Sequence, residues 1–518
     1  MFKWLVSGYG IENLDYKNLA EDLIENELSD LFSPKINRLF QQLRFPNSNF
    51  FWNQSVEFVE SFILLLLTGK ENFPILIENL RRKCCKFSVQ DSFQMIKRDL
   101  YLRKLLDYMW DGQIKVITGI RRAGKSTLLF DLFYDHLLKN GTSQNNVITL
   151  QLDKRKYAKY RNPIVLADFV ENTVSAGREK FYLFIDEIQF CYSVPDPDND
   201  GFEITVYDML NELKDYKNLD VYVTGSNSKM LSKDISTEFR GRSSQIHVFP
   251  LSFAEYNEAV GGDKRDNFDR YMIYGGLPYL LHLKTEEQFK DYLSNLFDEV
   301  YIKDIVERNK IERPDLLNDI LNLLSTFISS LTNPLNITNS IKSVKNEKFS
   351  SNTVSDYIGY CKDAFLISEA KRYDVRGKHY FDYPNKYYFT DIGLRNARLG
   401  FRQIDSGHIM ENIIYNELLT RGYSVDIGVV VDRRKGANAQ KEIDFVVNKG
   451  DRRVYIQSAW QMGTTEKIAA ELDSLKLAKD FFAKIIIQND IPSHFSDDDG
   501  IIHCNLIEFL LHPELIPL

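Results

Sequence analysis

The chain is 518 residues long, 44% apolar and 27% charged, ordinary proportions for a globular protein that buries a core, and long enough for roughly two to four domains. Its formal net charge of −8 excludes a uniformly basic coat for nucleic acid, although charge can still be segregated by domain. The five cysteines, Cys84, Cys85, Cys191, Cys361 and Cys504, form no CxxC pair and no zinc spacing, so reduced thiols in a cytoplasmic protein are expected.

The opening MFKWLVSGYGIENLDYKN has no long apolar core behind it and does not read as a signal peptide. The longest apolar run, FILLLL at 62–67, is far short of the ~20 residues of a membrane span, and it reads as buried helix. No membrane association is expected. Residues 1–92 read as a helical extension, because NLAEDLIENELSDLF and SVEFVESFILLLL place apolar residues three and four apart. The Cys84-Cys85 doublet lacks partners for a metal and reads as buried thiols.

Over 93–255 the pattern alternates. IKVIT (114–118), VITLQL (147–152), FYLFID (181–186) and DVYVTG (220–225) are compact apolar strands with helical sequence between them. Continuous apolar strands with helical crossovers predict an α/β core, a parallel sheet covered on both faces. Residues 256–315 read as a helical lid, with a turn at Gly275-Gly276 and Pro278 behind it. Over 316–400, three helical stretches near 316–330, 336–344 and 351–362 precede FLISEAKRYD and KYYFTD, the pattern of a winged helix with a two-stranded wing. Lys342, Lys345, Lys348, Lys371, Arg372, Arg376 and Lys378 only modestly outnumber nearby acids. DNA contact through the third helix and packing against a protein both fit. Residues 401–518 form a last αβ block.

GIRRAGKS at 119–126 carries the chemistry. It satisfies GxxxxGK[ST] with a strand before it and a helix after it. Gly119 and Gly124 let the backbone curl so that successive N–H groups point at phosphate oxygens. The following helix brings its positive end to the same anion. Gly119, Arg121, Arg122, Ala123, Gly124, Lys125, Ser126 and Thr127 are therefore the expected nucleotide contacts, with ATP and Mg²⁺ as ligands. Lys125 should reach the β- and γ-phosphates, and the Ser126 hydroxyl the Mg²⁺.

FYLFIDEIQ delivers Asp186 for Mg²⁺ and Glu187 for the attacking water at the carboxyl end of a strand. VTGSN places Thr224, Ser226 and Asn227 beside the same site, where a polar side chain can hold that water or sense the γ-phosphate. Arg240 or Arg242 in EFRGRSSQ is a candidate arginine finger acting in trans.

RDLYLRKLLDYMWDGQIKVITGIRRAGKSTLL, LFIDEIQ, VTGSNSKML, FRGRSSQIHVFPLSFAEY and YGGLPYLL together resemble the prokaryotic AAA-type ATPases that end in a domain of unknown function. The resemblance covers about 96–480. It implies an AAA core near the replication-initiator and signalling NTPases, then a winged helix and a nuclease-like domain. GHIMENIIYNELLTRGY with Glu411 and Glu417, KEIDFVV with Glu442 and Asp444, and VYIQSAW with Gln457 are similar in order to a PD-(D/E)xK nuclease. Glu411 or Glu417, with Asp444 and Gln457, could hold metal weakly, but Ala459 stands where the lysine belongs. A degenerate, binding-only fold is therefore expected.

The reading as a whole is an ATP-hydrolysing AAA switch whose C-terminal domains bind DNA or a protein partner. An ATP-dependent nuclease and an ATP-binding scaffold that self-assembles through 1–92 are the alternatives.

Overall fold

The computed structural model describes residues 96–516 apart from 175–178, 227–242, 346, 403, 433, 435–438 and 464. The helical extension expected over 1–92, with Cys84 and Cys85, lies outside the described residues, as do Asn227, Arg240 and Arg242.

The first layer is a five-stranded parallel sheet. Its strands are β1 (Ile114–Thr118), β2 (Val147–Gln151), β3 (Phe181–Asp186), β4 (Leu219–Gly225) and β5 (Ser243–His247), in the order β2-β3-β4-β1-β5. β1, β3 and β4 are buried along their whole length, which is why they read as unbroken apolar runs. Alternation sorts their side chains. Tyr182 and Phe184 pack with Leu128, Leu129 and Phe133 of the helix after β1. Leu183 and Ile185 pack with Leu166, Val170, Met209 and Leu210 on the other face. That first helix, α2, runs from Lys125 to Lys139 with a π-helical stretch at Leu128–Phe133. It follows α1 (Asp99–Asp107), and α3 (Pro163–Val174) and α4 (Val206–Leu213) cover the opposite face.

At the end of β5 the His247 ring packs against Phe249 and Phe365, with centroids 4.5 and 4.7 Å away, and its Nδ1 lies 3.2 Å from Thr118 Oγ1. Burial, then the charges of Lys125 and Lys104, push its pKa down to about 4. The unfolded chain takes this proton near pH 6.5 and the folded one only near 4. His247 therefore costs stability as pH falls through that window, up to about 3 kcal/mol. Chemical denaturation at pH 7 and pH 4.5 is expected to show a smaller loss in His247→Gln than in the wild type. An equal loss in both would sink this assignment.

The lid begins with α5 (Phe253–Val260) and α6 (Lys264–Tyr274) and continues through α7, which comprises Glu286–Asn295, a π-helical stretch Leu296–Ile302 and Lys303–Asn309. The glycine pair between α6 and α7 is fixed by a long-range contact: Gly276 N–H donates to Asp391 Oδ2 at 2.8 Å. A Cβ on Gly275, at φ +76°, would sit 2.3 Å from Asp391 Oδ1.

Three helices follow, α8 (Pro314–Thr326), α9 (Pro334–Lys345) and α10 (Ser351–Asp363), then the antiparallel hairpin of β6 (Ile367–Asp374) and β7 (Tyr380–Phe389). This hairpin is not a free wing. β6 pairs in parallel with β8 (Ser424–Val431), Arg372 against Ile427 and Asp374 against Val429. Beyond α11 (Ile392–Arg398) and α12 (Ser406–Thr420) come β9 (Gln440–Lys449), β10 (Arg452–Ala459), α13 (Thr465–Leu477), β11 (Ala483–Gln488), β12 (Phe495–Ser496) and β13 (Ile502–Asn505). One mixed eight-stranded sheet, β12-β13-β11-β10-β9-β8-β6-β7, therefore spans both sides of the boundary expected at 400. Among the described residues no helix is long and apolar enough to cross a membrane. Cys191, Cys361 and Cys504 are free thiols, and burial raises the pKa of each.

Candidate nucleotide-binding site

The site forms where β1, β4 and β3 end side by side. β4 lies between the other two, so a single sheet edge presents the loop after β1, the acids after β3 and Thr224–Ser226. Gly119 has φ +141°, and a Cβ there would lie 2.1 Å from the Val248 carbonyl oxygen, so only glycine fits. Arg122 and Gly124 also take positive φ, 67° and 94°. Left-handed turns of this kind curl backbone N–H groups into an anion-binding concavity, and α2 starts immediately after, at Lys125.

Lys125 is 3% exposed. Its Nζ donates to the carbonyls of Gly119 at 2.9 Å and Ile120 at 3.1 Å. An ammonium has three hydrogens, which leaves one for a ligand. Burial holds the pKa of Lys125 below its usual value against the opposing pull of Glu187 and Asp186, and a bound polyanion would favour the ammonium form further.

The Ser126 hydroxyl donates to Asp186 Oδ1 at 3.1 Å, and Thr224 Oγ1 donates to the same oxygen. Asp186 is 4% exposed, and burial raises its pKa despite both donors. A hydroxyl and a carboxylate converging beside the loop are hard oxygen ligands and fit Mg²⁺.

Glu187 sits at φ +54°, and its N–H donates to Thr224 Oγ1 at 3.0 Å. Its carboxylate accepts from Gln189 Nε2 and from Ser226 Oγ at 3.4 Å. Gln189 also donates to Ser226 Oγ at 3.3 Å. Sequence spacing placed Ser226 here but not Gln189, although it lies two residues along the same motif.

Two further supports were not visible in the sequence. Arg98, 5% exposed, donates to the Ala123 carbonyl at 3.3 Å and the Phe249 carbonyl at 2.7 Å, and pairs with Glu255 at 3.1 Å. It clasps the outside of the loop just before α1. From the lid, Tyr301 Oη donates to the Arg121 carbonyl at 2.7 Å, and Asp304 pairs with the Arg121 guanidinium at 3.1 Å. The loop is thereby tied directly to α7.

The C-terminal residues singled out from the sequence are not brought together as a set. Glu411 on α12 and Asp444 on β9 approach the same cation, Lys386 Nζ on β7, at 2.8 and 3.8 Å, and Glu442 joins them at 2.6 Å. Glu417 pairs with Arg421 at 2.7 Å instead. Gln457 departs from the metal-ligand arrangement expected of it. It lies between Tyr455 and Ala459, which pack on the α13 side of the sheet, and its Nε2 donates to Glu471 at 2.9 Å. Ser458 is the β10 residue that faces Asp444, donating to its Oδ2 from N at 2.8 Å and from Oγ at 2.9 Å. The cause is a bulge: Asp444 and Phe445 together oppose Ile427 between the pairs Ile443–Gly428 and Val446–Asp426. Such an extra residue re-aims neighbouring side chains.

A P-loop, an acidic strand end and a polar strand end between them define an AAA-type nucleotide-binding core. A family model described as an AAA domain matches residues 111–257; two described as domains of unknown function, DUF8612 and DUF4143, match 265–405 and 406–506. A Haemophilus influenzae protein described as uncharacterized is 32% identical over 423 residues, 80% of this chain and 99% of that relative. An uncharacterized Methanocaldococcus jannaschii protein is 27% identical over 390 residues, 72% of this chain and 79% of the relative. The chain belongs to this family of AAA-type ATPases, which join an AAA domain to a C-terminal DUF4143 domain.

Among solved structures, the Aeropyrum pernix ORC1 protein in complex with DNA is 12% identical, covering 60% of this chain and 95% of its own, with a TM-score of 0.27. Cdc6p from Pyrobaculum aerophilum is 12% identical, covering 64% and 98%, with a TM-score of 0.26. Both likenesses are too slight to bear on function.

Proposed function

We propose that this AAA ATPase is a switch: it hydrolyses ATP, and its nucleotide state sets how α8–α10, the β6–β7 hairpin and the C-terminal sheet grip DNA or a protein partner. The observation that carries the chemistry is the convergence of Lys125, Ser126, Asp186, Glu187 and Ser226 at one sheet edge. The loop N–H groups and the start of α2 bind the phosphates. Lys125 spends its free hydrogen on the β- and γ-phosphate oxygens. Ser126 and Asp186 hold Mg²⁺, which neutralises charge on those phosphates when bound. Glu187, fixed by Gln189 and Ser226, orients a water against the γ-phosphorus and accepts its proton. Arg240 or Arg242 of a second copy is the proposed finger.

The link from Arg121 to Tyr301 and Asp304 supports transmission, because a change at the phosphates pulls on α7. Exposed Arg376 and Lys378 at the hairpin turn support a nucleic-acid contact. Cleavage is not favoured, since the Asp444 carboxylate is met by Ser458, while the Gln457 side chain bonds Glu471 and the Asp444 backbone N–H instead.

Fluorescence anisotropy on labelled duplex DNA, with ATP-loaded Glu187→Gln against the ADP-loaded wild type, tests the reading. Affinities should differ by at least about fivefold, the low end of ordinary site-to-site coupling. Equal affinities in the two states would contradict a DNA switch. No binding in either would leave the protein partner as the remaining form of the proposal, tested by the same comparison on a partner captured with Glu187→Gln.

A further inference from the structure

Among the described residues outside the nucleotide site, a dense group of buried charge sits at the junction of the β6–β7 hairpin with the C-terminal sheet. Glu411 comes from α12, Glu442 and Asp444 from β9, and all three point toward Lys386 Nζ on β7. Lys386 is 4% exposed, Glu411 6% and Asp444 7%. Carboxylates removed from water are neutralised by a proton or compensated by a cation within the protein. Two chemistries can provide it, a divalent metal or an ammonium, and they compete for the same space.

The geometry favours the ammonium. Its nitrogen stands at hydrogen-bond distance from two carboxylates, 2.8 Å from Glu411 and 2.6 Å from Glu442, with Asp444 Oδ1 at 3.8 Å. Neutral donors also engage two of the acids. Tyr388 Oη donates to Glu411 Oε1 at 2.6 Å, and Ser458 donates twice to Asp444 Oδ2. A divalent ion needs several oxygens stripped of such donors and drawn in to about 2.0–2.6 Å. Among the described residues, no three His, Cys, Asp or Glu side chains are spaced to hold one.

We propose that Lys386 is the resident cation of this acidic cluster, seated where a divalent metal would have to bind, and that the cluster locks the β6–β7 hairpin to the C-terminal sheet instead of serving as a metal-dependent cutting centre. The lysine absent at position 459 has in effect a counterpart on another strand. That strand also supplies Tyr388, so both partners of Glu411 arrive together.

Mn²⁺ titration of the nucleotide-free full-length chain, read by electron paramagnetic resonance, tests this. Wild type and Asp444→Asn should bind the same number of Mn²⁺ ions, and neither should cut duplex or single-stranded DNA. Lys386→Met should gain one Mn²⁺ per chain, and Mn²⁺ should raise its melting temperature more than that of the wild type. Mn²⁺ bound by the wild type but lost in Asp444→Asn, or DNA cut by the first and spared by the second, would overturn the proposal. So would a folded Lys386→Met that gains no Mn²⁺. Should Lys386→Met fail to fold, the comparison of wild type with Asp444→Asn decides alone.

Discussion

Replacing Glu187 by glutamine is expected to slow phosphate release about a hundredfold or more while leaving ATP bound. The magnitude is that of losing a positioned general base, ordinarily ~10²–10⁴ in rate. The change conserves shape, so the donor contacts around the side chain set the expected result. The backbone at 187 is held in the left-handed region and anchored through Thr224 Oγ1, neither of which depends on the carboxylate. Residues kept in such conformations cost roughly 1–3 kcal/mol and persist where the surroundings over-determine them. The Gln189 amide, which now donates to the carboxylate, can donate to a glutamine oxygen just as well. What disappears is the capacity to take a proton. Single-turnover phosphate release, with equilibrium binding of a fluorescent ATP analogue, separates the two effects. Unchanged turnover would remove Glu187 from the base role.

Lys125→Ala should weaken ATP binding by about 10- to 150-fold, the range for losing a charge-assisted hydrogen bond of roughly 1.5–3 kcal/mol. The wild-type ammonium is already buried and held by two loop carbonyls. Little side-chain entropy therefore remains to be lost when phosphate arrives, and the interaction should fall at the upper end of that range. The alanine variant also takes the lysine donor from the carbonyls of Gly119 and Ile120, leaving Ile120 only the Ala123 N–H, so the empty loop should lose order as well. Isothermal titration with MgATP reads the affinity. Binding within twofold of wild type would mean that Lys125 does not reach the phosphates.

The part of the site that was legible from sequence is the part whose chemistry is local. Gly119, Gly124, Lys125 and Ser126 are fixed by spacing within one turn, and Asp186 and Glu187 by their position at the end of an apolar strand. Ser226 was legible because β4 ends in polar residues. Asn227 and the two candidate arginines lie outside the described residues and add nothing either way.

The features that were missed are long-range. Arg98 reaches the loop across 25 residues and Glu255 across far more, and no periodicity announces either contact. Gln189 is the local exception, because a glutamine after an acidic pair has no distinctive spacing.

In the C-terminal part the helix and strand order was readable, but the face of each strand was not. A single bulge at Asp444–Phe445 turned Ser458 toward Asp444 and left Gln457 and Ala459 on the other side. The ladder from β6 to β8, which carries Lys386 into the cluster, joins segments more than fifty residues apart. No local pattern in either segment announces that pairing.

The most direct measurement is steady-state phosphate release from purified wild type and Lys125→Ala, side by side with MgATP. The wild type should release phosphate at a rate that saturates with ATP, and Lys125→Ala should fall to the no-enzyme background. Equal rates from the two proteins would contradict hydrolysis at the GIRRAGKS loop.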